Sequence, residues 1–207
     1  MVAAPQPLRY VWLGRADYRG VLAMQHDERE RVWAGGAGTI FLCEHPPVIT
    51  LGRSATLANV LAPGDVPIER IERGGDVTYH GPGQLMVYPI VRVKRVVDFL
   101  SRVAGALAAA CAVLGAPGGE FRRDPAGVWI GDAKLAACGI HIARGVSVHG
   151  FALNVCTPSD AWTRIRPCGL GVPQIALADV RSARALPAVT VEQVAAEAGP
   201  RLVDALI

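Results

Sequence analysis

The chain has 207 residues, of which 51% are hydrophobic, so it can bury a substantial core and its composition argues against a disordered protein. Its formal net charge of +3 is mild and no basic run occurs, which argues against a nucleic-acid-binding protein. The longest apolar run, residues 103–116, is shorter than the roughly 20 residues that a membrane span needs. Residues 1–10 lack the pattern of a signal peptide. We therefore expect a cytoplasmic protein that binds neither membrane nor nucleic acid.

The cysteines indicate reduced thiols rather than a disulfide framework. There are five of them, an odd number at irregular spacing: Cys43, Cys111, Cys138, Cys156 and Cys168. No CxxC or HExxH spacing occurs, so the sequence predicts no metal site. Cys43, Cys111 and Cys156 fall at apolar positions of predicted elements, where we expect core packing.

Short apolar runs bounded by glycine, proline and polar residues predict a series of strands. They cover residues 8–13, 39–44, 48–51, 68–72, 85–91 and 128–130. A hairpin follows, in which residues 134–143 pair with residues 146–156 around Arg144-Gly145.

Helices are predicted where apolar residues recur every three or four positions. Asp17 is a candidate cap for a helix that ends near residue 33, and Asp98 for a second helix that ends near residue 114. A C-terminal helix, about residues 190–206, has Thr190 and Gln193 at capping-box positions and a predicted kink at Gly199-Pro200. No internal repeat or linker is evident, which predicts one domain of mixed strands and helices over residues 1–207.

The segment Arg73-Gly-Gly-Asp-Val-Thr-Tyr-His-Gly-Pro-Gly-Gln84 combines glycines with many polar side chains. Its glycines allow sharp turns and close approach of the backbone to a ligand. An apolar run, residues 85–91, follows directly and has the composition of a buried strand. A hairpin turn is the simpler interpretation, but the polar residues are too many and too mixed for a turn alone. We therefore predict a binding site here.

Cys168 is the candidate nucleophile among the cysteines. It lies between Pro167 and Gly169, which predicts a defined but accessible position in a loop. Arg164 and Arg166 just upstream would favour the thiolate, the nucleophilic form of the side chain. No GxxxxGK[ST] or GxGxxG motif occurs, so nucleotide binding through a glycine-rich loop has little support.

Lysine is scarce, since Lys94 and Lys134 are the only two in the chain. Lys134 opens an otherwise apolar strand. It is either an exposed residue after a turn or a partly desolvated amine that can exchange protons near neutral pH. His80 and His149 each precede a glycine and are either core histidines or site residues. The other histidines are interpreted as structural.

Four blocks of the chain together resemble one enzyme family. Residues 73–84 closely resemble the signature of the lipoyl(octanoyl) transferases, the octanoyl-[acyl-carrier-protein]:protein N-octanoyltransferases. Residues 44–53 are similar to the upstream block of that family, residues 134–140 and 149–154 to its central hairpin, and residues 165–170 to its catalytic loop. The blocks occur in family order over about residues 10–182.

The resemblance implies an α+β domain with a mixed sheet flanked by helices, similar to the catalytic domains of biotin and lipoate–protein ligases. It implies Cys168 as the acyl-thioester nucleophile, Lys134 as the proton shuttle, and no cofactor or metal. Cys138 and His141 depart from the family pattern, in which a small or aliphatic residue and a basic residue are usual. The substrate contacts that it implies are Arg73, Gly74, Gly75, Asp76, Val77, Thr78, Tyr79, His80, Ala137, Cys138, Gly139, His149, Gly150, Phe151 and Ala152.

The reaction that the resemblance implies is transfer of an octanoyl group from octanoyl-acyl carrier protein to a lysine of lipoyl domains. Those domains belong to 2-oxoacid dehydrogenase complexes and to the glycine cleavage H protein. A monomer is expected. Two alternatives remain at this point: an ATP-dependent lipoate–protein ligase on the same fold, which needs no cysteine nucleophile, and a non-catalytic acyl-carrier-binding module.

Overall fold

The described part of the chain, residues 7–166 and 171–207 of a computed structural model, contains ten strands and four α-helices. The strands are β1 (Arg9–Arg15), β2 (Thr39–Glu44), β3 (Val48–Leu51), β4 (Ile68–Arg70), β5 (Val77–His80), β6 (Gln84–Ile90), β7 (Glu120–Arg123), β8 (Ala126–Ile130), β9 (Ala133–Ala143) and β10 (Val146–Asn154). The helices are α1 (Tyr18–Trp33), α2 (Val96–Val113), α3 (Leu177–Ser182) and α4 (Val191–Leu206). Cys168, the predicted nucleophile, lies outside the described residues.

The strands form two sheets, both of mixed direction. The larger has seven strands in the order β1-β2-β6-β10-β9-β8-β7, in which β1 and β2 are parallel and the other neighbours antiparallel. The smaller has the order β4-β3-β5, with β3 parallel to β4 and antiparallel to β5. The mixed sheet expected from the resemblance is confirmed, as is the hairpin of β9 and β10.

Alternating side chains give the larger sheet a helix-covered core on each face. Along β6, Leu85 and Val87 belong to the cluster that includes α2 and α4. Met86 and Tyr88, which point the other way, belong to the cluster that includes α1. By length and composition α2 is apolar enough to cross a membrane, but one side of it packs against the sheet as part of the core.

The predicted helix caps are correct for α1 and α4 and wrong for α2. Asp17 accepts a hydrogen bond from the Gly20 N–H at 2.9 Å, and Thr190 forms a capping box with Gln193. Helix α2 begins at Val96, so Asp98 lies in its first turn, where a carboxylate interacts favourably with the positive end of the helix dipole.

Several elements differ from the sequence prediction. Residues 77–80, for which no strand was predicted, form β5, because pairing with β3 satisfies their backbone groups. Strand β4 is shorter than predicted, and β7 and α3 were not predicted. Strand β10 ends at Asn154, so Cys156 is exposed and the prediction that it packs in the core was wrong. Cys43 and Cys111 are buried as predicted.

Candidate active site

A cleft crosses the face of the larger sheet that α1 covers. Its floor is made of small residues on β9 and β10: Ala137 and Gly139 pair directly with Ala152 and Gly150. Directly paired residues of neighbouring strands share one face of a sheet, so the four leave a continuous shallow space between them. The empty volume, including the open mouth, is about 540 Å³, which is within the usual size of small-molecule sites.

The glycine-rich segment forms the opposite wall of this cleft, and Arg73 holds it in place. The Arg73 guanidinium is buried and donates hydrogen bonds to the Thr50 carbonyl oxygen at 2.7 Å and to the Gly74 carbonyl oxygen at 2.9 Å. Gly75 follows at a φ of 86°, a conformation that favours glycine. The segment is therefore a fixed wall, in which Arg73 acts as a structural clamp.

Nearly all the residues predicted to contact substrate meet in the cleft, together with Lys134. Those that line it are Arg73, Gly75, Asp76, Val77, Thr78, His80, Ala137, Cys138, Gly139, His149, Gly150, Phe151 and Ala152. Gly74 lines an adjoining second cleft instead. Tyr79 belongs to the core of the smaller sheet, edge-on to Trp162 with ring centroids 6.1 Å apart, on the face of β5 opposite to Thr78 and His80.

Lys134 lies where the two clefts meet, and its side chain is only 2% exposed. The interpretation as an exposed residue after a turn is therefore wrong. Its ammonium nitrogen lies 4.8 Å from the centroid of the Trp129 ring, which is within cation–π range. Its backbone N–H donates to the Pro173 carbonyl oxygen at 2.8 Å, and its carbonyl oxygen accepts from the Ile175 N–H at 3.1 Å. The chain just after the undescribed residues 167–170 is thus held beside this lysine.

A chain of hydrogen bonds runs from the Arg73 clamp to His80. Thr50 Oγ1 accepts from Arg73 Nε at 3.2 Å and from Nη2 at 2.9 Å. With those bonds accepted, its own hydroxyl proton is directed to His80 Nε2, 3.3 Å away. Burial lowers the pKa of His80 well below its ordinary value, and the positive charge of Arg73 lowers it further. We infer a neutral imidazole with its proton on Nδ1.

The same chain continues from His80 to the backbone beside Lys134. His80 Nδ1 donates to Gln84 Oε1 at 3.3 Å, and Gln84 Nε2 donates to Asn154 Oδ1 at 3.0 Å. Asn154 Nδ2 then donates to the Ile175 carbonyl oxygen at 3.3 Å. The hydrogen bonds run in one direction, from Arg73 to the backbone beside Lys134, so the network positions both walls of the cleft relative to the lysine. His80 thus has a positioning role.

Sequence reasoning did not identify three residues that line the cleft, Tyr18, Met86 and Tyr88. Tyr18 begins α1, and the other two lie on the cleft-facing side of β6. The Tyr88 hydroxyl donates to His45 Nε2 at 3.0 Å, and His45 Nδ1 donates to the Ala16 carbonyl oxygen at 2.6 Å. The alternation of side chains along β6 could have indicated that Met86 and Tyr88 share one face of the sheet. It could not have indicated that this face lines the cleft.

His149 lines the cleft with a strained backbone, at a φ of 64°, and is 2% exposed. Its N–H donates to Gln25 Oε1 at 2.9 Å, which ties it to α1. Its Nε2 lies 3.6 Å from a carboxylate oxygen of Glu72, and the other oxygen of Glu72 is 3.0 Å from His26 Nε2. These histidines lower the pKa of Glu72, whereas burial lowers the pKa of His149 despite the nearby carboxylate.

The three buried histidines predict that the fold loses stability in mild acid. Burial lowers the pKa of His45, His80 and His149 below their ordinary value of about 6.5. Below pH 6.5 the unfolded chain therefore binds more protons than the folded chain. The free energy of unfolding should fall by up to about 1.4 kcal/mol per pH unit for each histidine. Urea unfolding at pH 7, 6 and 5 measures this slope. A flat profile over that range would contradict the burial of three neutral imidazoles.

Cys138 lines the cleft but is a poor candidate nucleophile. Burial raises the pKa of its thiol to about 12, although Lys134 acts in the opposite direction. A thiol that stays protonated near neutral pH is a weak nucleophile. The departure from the family pattern at this position thus adds a small, mainly apolar side chain to the cleft.

Comparison with known proteins identifies the family to which this chain belongs. Residues 17–198 match the family model of the lipoyl protein ligase A/B catalytic domain. The octanoyltransferase of Methylococcus capsulatus is 45% identical over 161 residues, which covers 76% of this chain and 77% of that protein. The octanoyltransferase of Solibacter usitatus is 44% identical over 177 residues, covering 80% of each chain. The octanoyltransferase of Mycolicibacterium gilvum is 39% identical over 174 residues, or 80% of this chain and 72% of that protein.

Solved structures with the same fold are much less similar in sequence. A bipartite lipoate protein ligase from Thermoplasma acidophilum has a TM-score of 0.62 at 13% identity, covering 98% of this chain and 84% of that one. A biotin protein ligase from Aquifex aeolicus in complex with biotin and ATP has a TM-score of 0.56 at 12% identity, covering 96% and 70%. They confirm the predicted fold. From the family match and the octanoyltransferase relatives together, this chain belongs to the lipoyl protein ligase A/B family and, within it, to the octanoyltransferases.

Proposed function

We propose that the protein transfers an octanoyl group from octanoyl-acyl carrier protein to a lysine of lipoyl domains, through a thioester on Cys168 with Lys134 as proton shuttle. The observation that carries the proposal is the burial of Lys134 at the end of a largely apolar cleft walled by the glycine-rich segment. The octanoyltransferase relatives support the choice of acyl group. Lipoyl domains of 2-oxoacid dehydrogenase complexes and the glycine cleavage H protein are the proposed acceptors.

The cleft provides the contact that an alkyl chain needs. An octanoyl group has about seven carbons beyond its carbonyl, and burial contributes roughly 0.8 kcal/mol for each, about 5 kcal/mol in total. Met86, Phe151 and Ala152 offer apolar surface, while the missing side chains at Gly139 and Gly150 leave room. The second cleft, which shares Lys134 and Gly75 with the first, is an open route by which the carrier arm and later the target lysine reach the acyl carbonyl.

In the first half-reaction the Cys168 thiolate attacks the carbonyl of the carrier thioester. The bond between that carbonyl and the carrier sulfur breaks, and the leaving thiolate takes a proton from the Lys134 ammonium. One thioester replaces another, so the step needs no ATP. A positive charge on Lys134 before the step favours the attacking thiolate.

In the second half-reaction the amine of the target lysine attacks the Cys168 thioester. An amide bond forms, the bond from the carbonyl to Cys168 breaks, and the thiolate is regenerated. Lys134, neutral after the first step, accepts the proton that the amine loses. Backbone N–H groups of the glycine-rich segment are candidate donors to the oxyanion of each tetrahedral intermediate.

An ATP-dependent lipoate–protein ligase is the second candidate function, favoured by the fold of the solved structures. A ligase of that class activates a free acid with ATP and needs no cysteine nucleophile. The two functions therefore differ in their need for ATP and for the thiol of Cys168. A non-catalytic carrier-binding module would bind the carrier and transfer nothing.

The test is the intact mass of the protein after incubation with octanoyl-acyl carrier protein in the absence of ATP. We expect one octanoyl adduct on the wild type, discharged by addition of a lipoyl domain. Cys168→Ala should lack the adduct, whereas the control Cys156→Ala, which removes an exposed thiol, should keep it. Transfer that requires ATP, or that proceeds at the wild-type rate in Cys168→Ala, would contradict the proposal.

A further inference from the structure

The acyl cleft begins beside Lys134 on β9, the strand next to β8, and ends on β6. It crosses β9 and β10 over small residues and then meets the larger side chains of Met86 and Tyr88. Tyr18 of α1 also lines this end. No residue of β2, the next strand of the sheet, lines the cleft among the described residues. The change from small to large side chains marks the end of the space in which an acyl chain can lie.

The width of this floor is close to the length of the substrate. Neighbouring strands are about 4.8 Å apart, so the distance from β9 across β10 to β6 is about 10 Å. An extended chain of eight carbons is about 9 Å long from its carbonyl to its methyl group, taking ordinary C–C bond lengths. An octanoyl group with its carbonyl near Lys134 would therefore bring its methyl end to β6.

Met86 and Tyr88 close this end in different ways. Tyr88 is fixed, because its hydroxyl donates to His45, which itself donates to the backbone of Ala16. The Met86 side chain has no strong hydrogen-bonding group, and an unbranched thioether adapts readily to its surroundings. Its direct partner on β10 is Ala152, and its partner on β2 is Cys43, which is fully buried. Truncation of Met86 would therefore extend the cleft into the interior and not toward solvent.

We propose that Met86 sets the acyl chain length that the enzyme accepts, by acting as the end wall of the cleft. The proposal rests on the proposed function, because it assumes that the cleft holds the acyl group of a carrier thioester. A shorter residue at position 86 lengthens the cleft, and a larger one at position 152, directly beside it, shortens the cleft. Chain-length preference then follows from how well the methyl end fills the space against β6.

The test measures kcat/KM for hexanoyl, octanoyl, decanoyl and dodecanoyl carrier thioesters. In Met86→Ala we expect the decanoyl-to-octanoyl ratio to rise at least about tenfold over wild type, since decanoyl is two methylenes longer and a matched apolar pocket discriminates by about tenfold or more for each methylene. The control is Met24→Ala, which removes the same atoms from a side chain on α1 that is 39% exposed. It should leave the ratio unchanged.

A second variant keeps the test decisive if Met86→Ala folds poorly. Ala152→Val narrows the same end and should raise the hexanoyl-to-octanoyl ratio several-fold. Unchanged ratios in a folded Met86→Ala or Ala152→Val would overturn the proposal. If the wild type transfers octanoyl groups but the ratios of the two variants do not differ from it, the role of Met86 is refuted and the proposed function is not. Wild type that transfers no acyl group from any carrier would instead refute the proposed function.

Discussion

Replacing Lys134 by methionine is expected to lower kcat/KM for octanoyl transfer by about a thousandfold while leaving the fold intact. The substitution keeps the length of the side chain but removes its only proton donor and acceptor. Positioned acid–base groups contribute about a hundredfold to ten-thousandfold in rate, and in the proposed mechanism both half-reactions use this one. Methionine has a similar length and volume, so it can fill the buried space over the Trp129 ring. Urea unfolding of the variant separates any loss of stability from the loss of rate.

Steady-state transfer assays check this prediction, and the chain provides a matched control. Lys94, the other lysine of the sequence, is exposed, so Lys94→Met makes the same chemical change away from the clefts. It should retain transfer within about twofold of wild type. Single-turnover measurements of acyl loading and of discharge to a lipoyl domain would show both steps slowed in Lys134→Met. Normal rates in both steps would assign the proton transfers to another group.

The strands of the fold were predictable because their patterns are local. Runs such as residues 39–44 and 85–91 carry enough apolar residues to require burial wherever they pair. The start of α2 was not predictable from Asp98, since an acidic residue suits both the cap and the first turn. Strand β5 was missed because its glycine-rich context favours a turn, and only its pairing with β3 makes it a strand.

The members of the candidate site were predictable in part, and mainly through the resemblance. Residue types alone favoured Cys168 and left two interpretations of Lys134 open. The structure excludes the exposed position for Lys134, because that side chain is buried at the junction of the clefts. Tyr18, Met86 and Tyr88 are brought to the cleft by the packing of α1 and by the neighbours of β6 in the sheet. Such long-range pairing leaves no local pattern in the sequence.

The floor of the cleft shows why glycine is required at a position that also belongs to the core. A Cβ atom added at Gly150 would overlap the carbonyl oxygen of Val87 on β6 and approach Pro89 Cδ at 3.0 Å. A backbone oxygen in the middle of a sheet cannot move aside as a side-chain end can. Any shift of Val87 would also move Met86 and Tyr88, the residues on either side of it at the end of the cleft.

We therefore expect Gly150→Ala to reduce the free energy of unfolding by about 3 kcal/mol, toward the upper end of the usual cost of overpacking. The matched control is Gly105→Ala in α2, where an added Cβ would meet no atom within 4 Å and the position is exposed. It should stabilise the protein by about 0.5–1 kcal/mol, because alanine has the higher helix propensity and restricts the unfolded chain. Urea unfolding midpoints of the two variants and the wild type measure both effects.

If the two variants change the free energy of unfolding in opposite directions, the cost at Gly150 comes from the contact of the added Cβ with β6 and not from the loss of glycine as such. A Gly150→Ala protein that unfolds within about 0.5 kcal/mol of wild type would mean that β6 and β10 separate easily there. In that case the end wall formed by Met86 would also be movable, and the chain-length preference of the enzyme would be broad. The stability of this one strand pair and the proposed acyl selectivity of the cleft would therefore be linked through the backbone of β6.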